Sequence, residues 1–129
     1  HQFQRPLALK LSPDLDHRAI PGIAELLRKH NVDCLIATNT TIARDNLQGQ
    51  PLAAEKGGLS GLALRDRSRQ VLSAFYAELG DDIPIISVGG IDSPEEAKLR
   101  MELGAKLVQL YTGLIYRGPG LVNAIARAL

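Results

Sequence analysis

Cysteine is nearly missing from this sequence. Cys34 stands alone among 129 residues, which excludes an internal disulfide framework and any multi-cysteine metal site. A lone cysteine at the start of an apolar run reads as a core thiol. An excess of either charge is missing too. Fifteen Lys and Arg face fourteen Asp and Glu, a net charge of +1, so neither a nucleic-acid footprint nor an acidic tail is expected. Arg65, Arg67 and Arg69 form the one arginine cluster, and they read as a solvated helix face. No stretch approaches the roughly 18 consecutive apolar residues of a membrane span. His1, His17 and His30 are dispersed without ligand spacing, so they read as surface histidines and no metal site is expected. The chain opens on His1 rather than Met, no signal peptide follows, and no low-complexity or Pro/Gly-rich linker interrupts it. One domain, or a piece of one, is expected.

Four short apolar runs are present: 6–11 (PLALKL), 34–38 (CLIAT), 84–88 (PIISV) and 107–111 (LVQLY). Each has the length of a buried strand and is followed by polar or Gly-bearing residues. Helical periodicity fills the gaps. Ile20, Ile23, Ala24 and Leu27 predict a helix starting near Pro21 and closing at Asn31. Leu64, Val71, Leu72, Phe75 and Leu79 predict a second, ended by Gly80. Ser93-Pro94-Glu95-Glu96 is a capping box opening a third, stopped by Gly104. The fourth is expected over about 119–128, with Leu121, Val122 and Ile125 on one face. Strand–helix alternation with such short connections implies a parallel sheet covered by helices.

Four βα units make either an open doubly wound sheet or half of a barrel. A complete (β/α)8 barrel needs about 250 residues. The strand chemistry favours the barrel. Leu7, Leu9 and Leu11 suit a face under helices, which turns Lys10 inward near the end of its strand. A barrel mouth opens to water there, whereas an open sheet would bury the lysine without a partner. Polar residues also follow the strands in register: Lys10, then Thr38-Asn39-Thr40-Thr41, Gly89-Gly90, and Tyr111-Thr112-Gly113. In a barrel they share one rim. Glycine lets a backbone N–H approach an anion closely, and a phosphate site after strands seven and eight recurs in this fold. Gly89-Gly90 and Tyr111-Thr112-Gly113 would occupy those two loops. Lys10 would add positive charge, and the Asn39 amide can donate and accept in the plane of a small heterocycle. A phosphate-bearing cofactor with a planar substrate on it is the expectation. The irregular stretch 42–60 is long enough to be a functional lid over the mouth, with Gly57, Gly58 and Gly61 near the ligand. Within it Arg44, Asp45 and Asn46 are candidate substrate contacts that spacing alone does not decide; Asp14 and Asp16 read as residues that cap or precede a helix rather than as acids. Gly90→Asp would repel a phosphate while leaving the fold largely intact, since the turn lies on the rim.

At this point the motifs resemble a known family. Lys10-Leu11-Ser12-Pro13-Asp14-Leu15, Ala37-Thr38-Asn39-Thr40-Thr41 with Arg44, Gly57-Gly58-Leu59-Ser60-Gly61-Leu62, Val88-Gly89-Gly90-Ile91-Asp92-Ser93, and Leu107-Val108-Gln109-Leu110-Tyr111-Thr112-Gly113 are similar, in order and spacing, to class 2 (quinone-dependent) dihydroorotate dehydrogenases. The resemblance runs from about Pro6 to the end. It implies residues 1–129 as the C-terminal half, strands five to eight, of a single FMN-binding (β/α)8 barrel. It implies oxidation of dihydroorotate to orotate in pyrimidine biosynthesis, with electrons passed to a quinone. Lys10, Thr38, Gly61, Gly90, Tyr111 and Thr112 would bind FMN; Asn39 and Thr40 would bind substrate.

Ser87 departs from the glycine common in that family and reads as harmless. The larger departure is that the family's catalytic serine, its membrane-docking helices and its quinone site belong to the half this chain does not match. No catalytic residue is therefore expected here, and the segment alone should be inactive. The parent would sit peripherally on the cytoplasmic side of the inner membrane. The alternatives are another FMN- or phosphate-binding barrel oxidoreductase, or a non-catalytic half-barrel that self-associates through its open strand edges.

Overall fold

The computed structural model describes residues 5–45 and 47–129. His1 and Asn46 lie outside the described residues. Four strands, β1 (Ala8–Leu11), β2 (Cys34–Ala37), β3 (Ile85–Val88) and β4 (Ala105–Gln109), pair in parallel in the order β1-β2-β3-β4. A doubly wound sheet reverses its strand order at a switch point. This order is unbroken, as in a barrel wall, and the four βα units form half of a (β/α)8 barrel.

Helices α1 (Ile20–Lys29) and α2 (Arg65–Leu79) cover one part of the convex face. Ala24, Leu27, Leu35, Ala37, Val71, Leu72, Phe75 and Ile85 are buried between them and the strands. Helices α3 (Pro94–Glu102) and α5 (Gly120–Ala128) bury Ile91, Ala97, Leu121 and Ile125 in a second core. Val122, expected on that buried face, is half exposed. Among the described residues no helix is long and apolar enough to cross a membrane, and no cluster of metal-ligating side chains occurs.

The helix boundaries follow from local chemistry. Pro21 lies in the first turn of α1, and Asn31 closes it at φ +52°, with the Val32 N–H on the Leu27 carbonyl at 3.0 Å. That is a left-handed cap supplied by asparagine rather than glycine. Ser93 accepts from the Glu96 N–H at 3.2 Å to cap α3. The reciprocal half of the capping box is not made, because the Glu96 carboxylate is drawn into arginines instead. A short helix, α4 (Thr112–Arg117), follows β4 and was not expected from periodicity. Six residues carry too little pattern to be seen.

Of the three leucines in and just before β1, only the last meets the expectation. Leu11 packs on the core, while Leu7 and Leu9 are 55% and 39% exposed. α1 packs towards α2, and β1 is an edge strand with nothing among the described residues on its outer side. The register sets Lys10 opposite Ile36, Ile36 opposite Ile86, and Ile86 opposite Leu107. This row lies on the concave face, since their neighbours Leu35 and Ile85 are in the core. Lys10 therefore points inward. Cys34 alternates with Leu35, so it is half-buried on the concave side rather than in the helix-covered core; burial pushes its thiol pKa up. His17 and His30 are exposed, as expected.

Gly104, between α3 and β4, has φ +102°, and a Cβ there would sit 2.2 Å from the Tyr76 ring. Gly104→Ala combines an unfavourable φ with overpacking. It should destabilise the chain by at least about 2 kcal/mol, read as a lowered urea midpoint with an unchanged m-value.

Candidate functional site

The segments that follow the strands are tied to one another before any ligand is considered. The Thr38 N–H donates to the Val88 carbonyl at 2.9 Å, and the Asn39 N–H to the Leu11 carbonyl at 2.8 Å. The end of β2 is thus held between the ends of β1 and β3. The Ala37–Thr38 peptide is cis. Thr38 is buried, and its hydroxyl donates to the Asn39 carbonyl. Asn39 Oδ1 accepts from the Thr40 N–H at 2.9 Å, which leaves the Nδ2 protons as the side chain's outward donors.

The long segment 42–60 is ordered by two polar anchors. The Asp14 carboxylate accepts from the Thr41 hydroxyl and from the Ile42 N–H, the latter at 2.8 Å. Asp14 precedes the first helical turn, as expected, and its carboxylate ties down this loop; Asp16 caps that turn, accepting from the Arg18 N–H at 2.9 Å. The Arg44 guanidinium donates to the carbonyls of Thr41, Ala43, Glu55 and Gly57, at 2.7 Å to the last. Arg44 is therefore a clasp across the base of the loop, and Asp45 pairs with Arg67 at 3.1 Å. Neither lines the cavity described next. An antiparallel bridge between Thr41 and Leu59 returns the segment to the rim. Gly58 then packs on Thr40, while Ser60 and Gly61 reach the cavity and Gly57 does not.

At the C-terminal ends of the strands lies a cavity of about 340 Å³. Lys10, Thr38, Asn39, Thr40, Gly61, Gly90, Tyr111 and Thr112 all line it, so these eight residues share one space. Tyr111 does not end β4, which stops at Gln109; it stands at the start of α4 with its side chain 77% exposed. The Thr112 hydroxyl donates to Ser60 Oγ at 2.9 Å, closing the cavity between two loops. The backbone N–H groups of Gly90, Thr112 and Gly113 have no acceptor among the described residues. Unpaired donors at one end and the Lys10 ammonium on the wall fit a group with a phosphate and a ring that takes up negative charge.

Behind the Gly89-Gly90 turn lies a feature the sequence reading missed. Arg100, in α3, is fully buried. It bonds to Glu96 at 2.6 Å, Ser68 at 2.8 Å, Ser87 at 3.1 Å, the Arg65 carbonyl at 3.1 Å and the Gly89 carbonyl at 2.8 Å. All five guanidinium N–H groups are satisfied. Ser87 is thus more than a harmless replacement for glycine, since its hydroxyl accepts from this cation. Arg65 donates to the Gly90 carbonyl at 3.0 Å and pairs with Asp92; Arg69 pairs with Glu96. The Arg65/Arg67/Arg69 cluster is therefore not a solvated face. It joins α2 to α3 and to the loops.

Gly90 has φ +73°, and a Cβ there would lie 2.6 Å from Arg65 Cα. The neighbour is backbone, so Gly90→Asp would disturb the fold as well as the charge, contrary to the expectation that the fold would be spared.

Burial alone would raise the Glu96 pKa, but hydrogen bonds from Arg69 and Arg100 outweigh it and hold the carboxyl below its ordinary value. A depressed carboxyl binds fewer protons folded than unfolded. Its contribution is complete at neutral pH and is lost as pH falls below about 4.3, the unfolded value. Glu96→Gln should cost about 3 kcal/mol at pH 7. The difference from the parent should shrink steadily as the pH falls towards 3, measured by urea unfolding at a series of pH values.

Comparison with known proteins agrees with this architecture. The family model described as dihydroorotate dehydrogenase matches residues 1–129. The dihydroorotate dehydrogenase (quinone) of Burkholderia thailandensis is 52% identical over 124 residues, 96% of this chain and 36% of that protein. The protein of the same name from Ralstonia nicotianae is 53% identical over 129 residues, the whole of this chain and 38% of that protein. Among solved structures, dihydroorotate dehydrogenase from Eimeria tenella in complex with ferulenol superposes with a TM-score of 0.90 at 36% identity, covering 97% of this chain and 34% of that one. The chain thus spans a little over a third of the length of the curated relatives it matches. With every residue inside the matched region, the chain belongs to the dihydroorotate dehydrogenase family.

Proposed function

We propose that this chain supplies the flavin- and orotate-binding half of a class 2 dihydroorotate dehydrogenase barrel, which oxidises dihydroorotate to orotate in pyrimidine biosynthesis and passes the electrons to a quinone. The observation that supports this reading is the convergence of Lys10, Thr38, Asn39, Thr40, Gly61, Gly90, Tyr111 and Thr112 on one cavity at the strand ends.

FMN would supply the two-electron redox chemistry that links the substrate to the quinone. This chain's residues hold and orient. The Gly90 and Thr112 N–H groups and the Tyr111 backbone would hold the phosphate. Thr38 and Gly61 would hold the ring, and the Lys10 cation would stabilise the negative charge that reduction adds to it. Asn39 and Thr40 bind the substrate's ring amide and carboxylate. The titratable side chains lining the cavity are Lys10 and Tyr111 among the described residues, and we assign neither as the base. The base, the quinone site and the peripheral contact with the cytoplasmic face of the inner membrane belong to the rest of the barrel protein.

The experiment grafts this chain in place of the matching segment of the Ralstonia nicotianae relative, which it matches over its whole length. The grafted protein should purify yellow, with dihydroorotate bleaching its flavin. A folded, colourless product would contradict the reading. Asn39→Ala in the graft should raise KM for dihydroorotate about tenfold or more, the effect of losing a hydrogen bond to a charged group, with flavin content unchanged. Equal losses of flavin and substrate would remove Asn39 from its assigned role.

A further inference from the structure

A guanidinium sealed from water is expensive, and a buried ion pair is weak evidence of stabilisation in itself. What Arg100 holds is therefore informative. Its Glu96 partner also receives Arg69, so the carboxylate is not the only group Arg100 serves. The remaining four N–H groups reach α2, β3 and the turn after β3. Two meet the hydroxyls of Ser68 and Ser87, one meets the Arg65 carbonyl, and one meets the Gly89 carbonyl at 2.8 Å. Ser68 Oγ reaches the same Gly89 oxygen at 2.8 Å.

The Gly89 carbonyl and the Gly90 N–H belong to one peptide unit. In a trans peptide they point in opposite directions. Fixing the oxygen on the buried side fixes the N–H on the other side, where Gly90 lines the cavity and its N–H has no acceptor among the described residues. A cation on the oxygen also polarises the unit and strengthens its N–H as a donor. Arg65 holds the next carbonyl, that of Gly90, at 3.0 Å, so the turn cannot rotate as a whole.

We propose that Arg100, with Ser68 as its second hand, is a positioning residue for the flavin phosphate: it grips the Gly89 carbonyl from the core and aims the Gly90 N–H at the anion. This rests on the phosphate lying at Gly90, as assigned above. Arg100 touches neither phosphate nor ring. Its effect passes through one peptide bond and should be confined to the phosphate end of the ligand.

The test compares FMN with riboflavin, which has the ring but no phosphate. Flavin is stripped from the grafted protein, and both affinities are measured by fluorescence quenching. The parent should prefer FMN strongly. Arg100→Met should reduce that preference about tenfold, the effect of weakening one charge-assisted donor, with riboflavin affinity unchanged. Arg100→Lys, which keeps a cation and a donor for the Gly89 carbonyl, should recover most of the preference. If circular dichroism shows that Arg100→Met is unfolded, Ser68→Ala supplies the reading, with a fall of about threefold. Equal weakening of FMN and riboflavin, or an unchanged preference in the folded variants, overturns the proposal and leaves Arg100 a purely structural residue. A parent that does not distinguish FMN from riboflavin instead overturns the phosphate assignment on which the proposal stands.

Discussion

A buried guanidinium must find five acceptors from protein, and Arg100 finds them in three elements at once. Glu96 belongs to its own helix α3, Ser68 and the Arg65 carbonyl to α2, Ser87 and the Gly89 carbonyl to β3 and its turn. Losing any one contact leaves a buried donor unpaired, a cost of about 1–3 kcal/mol. The elements are therefore held in a single mutual arrangement, where apolar packing alone tolerates small shifts. Arg65 and Arg69 extend the same network to Asp92 and Glu96. The turn that faces the cavity is fixed by charge from behind.

The cavity follows from parallel strands. All four end on the same side of the sheet, and the unbroken strand order brings their trailing segments side by side. Each trailing segment is fastened by polar contacts of its own. Thr38 and Asn39 bond to neighbouring strand ends, Asp14 and Arg44 fasten the long loop, and Thr112 meets Ser60 across the rim. The Gly90, Thr112 and Gly113 N–H groups and the Lys10 ammonium are left for a ligand. The concave row of Ile36, Ile86 and Leu107 beneath them is apolar, with Leu107 62% exposed, as suits a wall meant to be covered by the rest of a barrel.

Apolar runs and helix punctuation made the sheet, four of the helices and the parallel architecture legible in the sequence. So was the convergence of Lys10, Asn39, Gly90 and Thr112, because a barrel places successive strand ends on one rim. Long-range polar pairing was not legible. Nothing local distinguishes a buried Arg100 from a surface arginine, and Glu96 carried a capping-box signal that tertiary contacts overrode. Spacing alone could not decide what Arg44 and Asp45 contact; their partners are loop carbonyls and Arg67. Gly90 was recognised as a close-approach glycine, but the approach of Arg65 Cα to its empty Cβ position required coordinates. α4 escaped because six residues show no period.

The central claim is that this segment presents a phosphate-binding end and a ring-binding wall to one flavin. A crystal structure of the FMN-loaded graft tests it most directly. The account predicts a phosphate oxygen within about 3 Å of the Gly90 nitrogen, an ordinary hydrogen-bond distance, with the Lys10 ammonium beside the ring. A flavin bound with its phosphate away from Gly90 and Thr112, or with Lys10 turned out of the cavity, would contradict it.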